Sequence, residues 1–240
     1  MTHRRVVRAL LACGVAAALA LAVLLVDHSQ PGGAVGNDVG EPPAGPLAQL
    51  LAQVRTTPTR LAMLGYDRSC QRGHACSFGS RWTDNHTGRG GHNSCDTRDD
   101  VLRAQLVDVV LKPGTHGCVV LSGTLNDPYT GRQLTWSRRD PSRVQIDHIY
   151  PLALAWDMGA ASWPAQRRID FANDQTHELV AVDGHANQAK GDAGPGSWLP
   201  LNRGYRCTYL RQFLVVAITY DLPITTADAA AIKHTAGGCQ

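Results

Sequence analysis

The chain has 240 residues, enough for one domain with a real core once a targeting segment and a linker are set aside. Only 18% of it is charged, against 24 glycines and 13 prolines, which excludes a highly charged disordered tail and fits a folded, turn-rich domain. Setting aside Arg4, Arg5, Arg8 and Asp27 around the N-terminal apolar run leaves 20 basic against 19 acidic residues, so the bulk charge gives no sign of a nucleic-acid binder, although a local arginine stripe remains open.

In chain order, the first feature is an apolar run of Ala, Leu and Val that ends at Val26, is uncharged from Ala9 onward and follows three arginines. It is long enough to cross a bilayer core, so residues 1–28 are expected to be a signal peptide or an N-terminal membrane anchor. Residues 27–36 hold no clear small-x-small cleavage site, and both readings stand. Lipid attachment at Cys13 is disfavoured, because most of the apolar run follows that cysteine. Residues 29–46 form a Gly/Pro-rich linker, and residues 47–240 are the folded domain. The expected location is outside the cytoplasm, either extracellular or anchored at the outer face of the cytoplasmic membrane.

Beyond Cys13 stand six cysteines, Cys70, Cys76, Cys95, Cys118, Cys207 and Cys239, an even set behind an export signal that favours disulfides. Of the 15 connectivities open to six cysteines, the favoured one is Cys70–Cys76, Cys95–Cys118 and Cys207–Cys239. A zinc site with His74, His92 or His116 competes, but no CxxC pair supports it.

Residues 46–54 carry Leu47, Leu50, Leu51 and Val54 at helical spacing. Residues 66–97 are polar and irregular. Asp99 or Asp100 is placed to cap a helix with Val101, Leu102, Leu106, Val109 and Val110 on one face, ending at Lys112-Pro113-Gly114. Residues 118–125 read as a strand, 126–131 as a turn, 133–136 as the returning strand, and 144–151 as another short strand. A helix over 161–171, a strand over 179–182 and a short helix from about Ala186 follow. The C-terminal part predicts a long apolar helix over 208–220 and a last helix opening at Thr225 or Thr226, with Asp228 in its first turn. The sum is an α+β domain with a small antiparallel sheet, stabilised by disulfides.

The chemistry concentrates in residues 144–192. Phosphodiester cleavage needs a base for water, oxygen ligands for a hard divalent cation and a positive group at the phosphate. His148 supplies an imidazole that can be neutral near physiological pH, Asp147 a charged oxygen and Asn187 a neutral carbonyl. Neighbours on a strand point to opposite faces, so the strand must end or twist at Asp147-His148, and Pro151 is consistent with an ending. Lys190, three residues after Asn187, shares its face if that segment is helical.

Asp147-His148-Ile149-Tyr150-Pro151-Leu152 followed by Asn187-x-x-Lys190-Gly191 resembles the HNH, or His-Me finger, endonuclease superfamily. Three further blocks narrow the resemblance: Cys95-Asp96-Thr97-Arg98-x-Asp100-Val101-Leu102, Asp127-Pro128-Tyr129-Thr130-Gly131 and Phe171-Ala172-Asn173-Asp174. They are similar to exported actinobacterial HNH-family proteins carrying the domain shared with the C-terminal part of a modification-dependent restriction enzyme. The resemblance runs from about Tyr66 to Cys239. It implies a ββα-metal core over about 144–192 with additional helices, and His148 as general base. It also implies one divalent ion, Mg²⁺ first with Mn²⁺ or Zn²⁺ as alternatives, held by Asp147 and Asn187, with Lys190 near the phosphate. At the place where the family often has an asparagine or histidine stands Glu178, which either orients the site or helps hold the metal. The implied reaction is hydrolysis of nucleic acid, DNA favoured over RNA, to 5′-phosphate and 3′-hydroxyl ends.

Arg143, Arg167 and Arg168 flank the motif as candidate nucleic-acid contacts, with a merely solvated surface as the competing reading. Asp96, Arg98 and Asp100 read as a capping and ion-pair cluster. His74, His86, His92 and His116 are given no role. No protein partner is expected, and membrane contact runs only through the N-terminal segment if it is uncleaved. The rival functions are a non-enzymatic disulfide-held binding module, and a zinc hydrolase of cell-wall or peptide bonds that would need further ligands converging on His148.

Overall fold

The computed structural model describes residues 47–239. The expected targeting segment, the linker and Cys13 lie outside the described residues. Among the described residues no helix is long and apolar enough to cross a membrane.

The leucines of the first amphipathic stretch form helix α1 (Leu47–Leu51), which buries Leu47, Leu50 and Leu51. After the two-residue strand β1 (Thr56–Thr57), residues 58–96 contain neither helix nor strand. Side chains meet the backbone donors of this stretch. Asp67 accepts from the Ser69 and Ala75 N–H groups, and Asp84 from Asn93 and Ser94. Asp96 caps helix α2 (Thr97–Gln105) by accepting from the Asp99 N–H at 2.7 Å.

The apolar spacing predicts that this helix continues to Val110, but the structure ends it at Gln105. Leu106 turns extended, and β2 (Val107–Leu111) begins. Val107, Val109 and Val110 are β-branched, which favours extended backbone, and β2 has β3 (Val120–Asn126) to pair with. With β4 (Gln133–Ser137) these make an antiparallel sheet in the order β2-β3-β4.

Strand β5 (Val144–His148) pairs antiparallel with β6 (Leu179–Asp183), placing Asp147 opposite Val180 and His148 opposite Leu179. The connection between them holds helix α3 (Leu152–Asp157), a 3-10 turn at Ala160–Ser162 and helix α4 (Ala165–Ala172). The single helix expected over 161–171 is therefore divided, with Pro164 at the N-cap of α4, and α3 is an element the periodicity missed. Helix α5 (Gly184–Lys190) follows β6 directly. The C-terminal part is α6 (Arg206–Tyr220), β7 (Ile224–Thr225) parallel to β1, and α7 (Thr226–Ala236), which opens on a capping box between Thr225 and Asp228.

The β5–β6 pair is buried on both faces. Val144, Ile146, Leu179 and Ala181 join the core of α2 and the three-stranded sheet, whereas Val180 and Val182 join the larger core around α6. A strand fixed by packing on both sides gives its last residues little freedom. The three disulfides are Cys70–Cys76, Cys95–Cys118 and Cys207–Cys239. The domain is thus α+β with small antiparallel sheets and three disulfides.

Candidate active site

Because side chains alternate along β5, Asp147 and His148 leave the strand on opposite faces. Asp147 faces α5. Its carboxylate accepts from the Tyr129 hydroxyl in a short hydrogen bond and from Lys190 Nζ, at 2.9 Å on one oxygen and 2.8 Å on the other. Lys190 Nζ also donates to the His148 carbonyl at 2.6 Å. Burial raises the Asp147 carboxyl above its usual range, with the lysine opposing it. Lys190 is only 2% exposed, and its charge is spent on Asp147. The ammonium expected near the phosphate is therefore placed against the Asp147 carboxylate and the His148 carbonyl.

His148 leaves the other face. Its ring stacks on Trp82, with centroids 5.7 Å apart and an interplanar angle of 11°. Its Nε2 lies 3.0 Å from the Ala172 carbonyl at the end of α4. A carbonyl only accepts, so Nε2 carries the proton and Nδ1 the lone pair. Nδ1 has no protein partner and is not among the sealed polar atoms. Burial, aided by the charge of Arg68, lowers the ring pKa to about 3, which keeps it neutral.

The strand ends here, and the two faces meet in a cavity of about 270 Å³ whose lining includes Tyr66, Arg68, Asp147, His148, Asn187 and Asp192. Asn187, on the outer turn of α5, donates from its amide to Gln145 Oε1 at 2.9 Å, leaving its carbonyl oxygen free. Arg68 is half-buried, its pKa lowered by that burial, and it makes no hydrogen bond or ion pair with any described residue. Sequence reasoning missed Arg68 and Trp82, which come from the irregular stretch without a periodic signal. It also left Tyr129 without a role, although the Asp127-Pro128-Tyr129-Thr130-Gly131 block was the available signal. Asp127 in that block accepts from the Asp183 N–H at 2.9 Å, and Asp183 caps α5 through the Ala186 N–H. The turn therefore holds both Asp147 and the start of α5.

Other expected site residues lie away from this cavity. Glu178 is fully buried and accepts from the Tyr150 N–H at 3.1 Å, while its second oxygen has no partner. Burial pushes its carboxyl well above the usual range, and the group lies away from the cavity that Asp147 and Asn187 line. Arg168 donates to the Ser77 and Trp163 carbonyls, and Arg167 donates to the Tyr220 carbonyl and stacks over Trp163 at 4.5 Å. Arg168 is half-buried by these contacts, and Arg167 stays exposed at the surface. Arg143 is exposed in a separate polar cleft with Arg132, His185 and Gln188.

Asp147 and the Asn187 carbonyl are hard oxygen donors on facing elements of one cavity. Mg²⁺ is commonly held by one or two such groups, with water and phosphate completing its shell, and the donor set fits that kind of ion. Among the described residues no three His, Cys, Asp or Glu side chains converge on one metal position, which is what a zinc hydrolase would require.

A family model described as the C-terminal domain of GmrSD restriction endonucleases matches residues 96–234. An uncharacterized secreted protein of Arthroderma benhamiae is 42% identical over 147 residues, covering 61% of this chain and 69% of the relative. No solved structure matches the chain. That relative's description as secreted agrees with three disulfides, bonds that persist in oxidising compartments.

Proposed function

The chain belongs to the family of GmrSD restriction endonuclease C-terminal domains, and on that premise we propose that it is a metal-dependent endonuclease of the HNH type, acting on DNA in preference to RNA. The observation that carries this reading is the state of His148. Its proton is fixed on Nε2 by Ala172, and a neutral Nδ1 opens toward a cavity that also holds an unpartnered guanidinium. The β5–β6–α5 order supports a ββα-metal core.

In this reading Nδ1 of His148 takes a proton from water as its oxygen bonds to phosphorus, and the P–O3′ bond breaks on the opposite side. Arg68 meets the charge gathering on the non-bridging oxygens. Lys190 and Tyr129 hold Asp147, and Gln145 holds Asn187, so that both face the cavity. A divalent cation bound at Asp147 and Asn187 would polarise the phosphate and stabilise the departing 3′ oxygen. The products are 5′-phosphate and 3′-hydroxyl ends.

The test is nicking of supercoiled plasmid by the oxidised chain, wild type against His148→Ala, in Mg²⁺, Mn²⁺, Zn²⁺ and EDTA. Metal-dependent nicking lost in the variant is the expected result. A well-folded protein that cuts neither plasmid nor an RNA control overturns the nuclease reading.

A further inference from the structure

Leu64 is 95% exposed and belongs to neither core cluster. It nevertheless sits on a turn that is tied down on both sides. The Met63 N–H donates to Asp157 Oδ1 at 2.9 Å, Trp156 Nε1 donates to the Leu64 carbonyl at 3.2 Å, and the Ser77 hydroxyl donates to the Gly65 carbonyl at 3.4 Å. Gly65 adopts φ +88°, a left-handed conformation that glycine takes without strain. Folding gains nothing from the side chain that this turn projects, and Met63 beside it is 47% exposed.

The turn leads into the candidate site. Tyr66 and Arg68 line the cavity, and two residues of chain span at most about 7 Å, so the Leu64 Cα lies no farther than that from the Tyr66 Cα. On the other side Arg60 pairs with Asp157 and with Asp192, itself part of the cavity lining. The segment 60–68 is thus fastened to the cavity rim at both ends, with Leu64 at its apex. Next to it, Arg68 and Arg81 line one cleft and lie within each other's field, and no described carboxylate pairs with either. Two unneutralised guanidiniums beside an exposed apolar turn match a phosphate backbone and a base stack.

We propose that Leu64, supported by Met63, is a rigid wedge that enters the base stack of duplex nucleic acid next to the phosphate facing Arg68 and His148. Apolar side chains inserted at a base step unstack it and bend the duplex, which exposes backbone to the protein. A wedge of this kind would bring a phosphate of a stiff duplex down to the recessed His148. The inference rests on the nuclease reading and adds its substrate form, a duplex opened at the cleavage step.

The test uses the oxidised full chain carrying His148→Ala, so that the nucleic acid stays intact, and short duplexes with 2-aminopurine placed at successive positions. Binding is followed separately by anisotropy. Fluorescence is expected to rise on binding, and Leu64→Ala should abolish the rise while Leu64→Met keeps it. An equal rise with Leu64→Ala overturns the wedge. In the active chain, Leu64→Ala is expected to lower the ratio of duplex to single-strand cleavage roughly tenfold, and an unchanged ratio overturns it as well. A chain that binds no nucleic acid at all defeats the nuclease reading itself. In that case Leu64-dependent self-association or vesicle binding would reassign the turn to a protein or membrane contact.

Discussion

Lys190 and Arg68 both carry positive charge beside His148, but one is sealed against a carboxylate and the other has no partner among the described residues. Substituting them should therefore separate stability from activity. Lys190→Ala leaves the buried Asp147 carboxylate without its counter-ion, which costs about 3–5 kcal/mol, and urea denaturation should show it. Arg68→Ala removes a half-buried charge that nothing satisfies, so the denaturation midpoint should hardly move while plasmid nicking falls about a hundredfold. If Arg68→Ala unfolds the protein and Lys190→Ala does not, the assignment of the two cations is reversed. Glu178 gives a second prediction at this scale. Its carboxyl is raised well above its unfolded value of 4.5, chiefly by burial, with Asp147 and Asp174 adding to the shift and Lys190 opposing it. The folded state therefore holds the proton more tightly. The stability this confers is complete below about pH 4.5, and it is lost as pH rises through the folded pKa. Glu178→Gln, neutral at every pH, should flatten that decline above pH 4.5 in thermal melts. A decline of the same slope in the variant would show that another group is responsible.

Gly184 sets where α5 can begin. Its N–H donates to the Arg143 carbonyl at 3.0 Å, and a Cβ at this position would stand 2.0 Å from the Ser142 carbonyl oxygen. Backbone has little room to yield there, so Gly184→Ala must move the start of α5 away from the residues that lead into β5. The expected cost is about 1–3 kcal/mol. Asn187 would shift from the cavity with the helix, so activity should fall further than stability does. A variant with unchanged melting temperature and nicking would mean that α5 has slack at its start. This junction also shows why part of the site was legible in the sequence. Asp147 and His148 are adjacent on β5, and Asn187 stands on the helix that directly follows β6, so the two strand signals and one pairing between them suffice to bring the three together. Arg68 and Trp82 reach His148 from residues 58–96, where no period announces an element and position is set by disulfides and side-chain caps. Lys190 was assigned to the right face of α5, but its depth depends on packing that helical spacing does not encode. The α2–β2 boundary failed for a related reason: Val109 and Val110 fit the helical period, and only the presence of β3 made extended pairing the better outcome.

At the scale of the whole molecule, two cores share the β5–β6 pair, and the disulfides are distributed over the parts that surround it. Cys70–Cys76 closes the loop next to Arg68, Cys95–Cys118 joins the residue before the α2 cap to the approach of β3, and Cys207–Cys239 staples the start of α6 to the chain end beyond α7. Their sequence separations are 6, 23 and 32 residues. In the chain-entropy picture the bridges then stabilise by about 2.4, 3.4 and 3.7 kcal/mol respectively. Together this approaches the full stability of an ordinary domain, roughly 5–15 kcal/mol. Loss of any one bridge is therefore expected to leave a folded chain, and loss of all three a marginal one. Urea denaturation of the oxidised protein, of three paired Cys→Ser variants and of the fully reduced protein tests this directly. The paired variants should rank by loop length, with Cys207→Ser/Cys239→Ser the most destabilised. The reduced protein should show little or no cooperative transition at 37 °C and no nicking. Such a chain would stay inactive in a reducing cytosol and fold on reaching an oxidising compartment, which separates a nuclease from the nucleic acid of the cell that makes it. A reduced protein that keeps a cooperative transition within about 2 kcal/mol of the oxidised one would place the stability in the two cores alone and remove that safeguard.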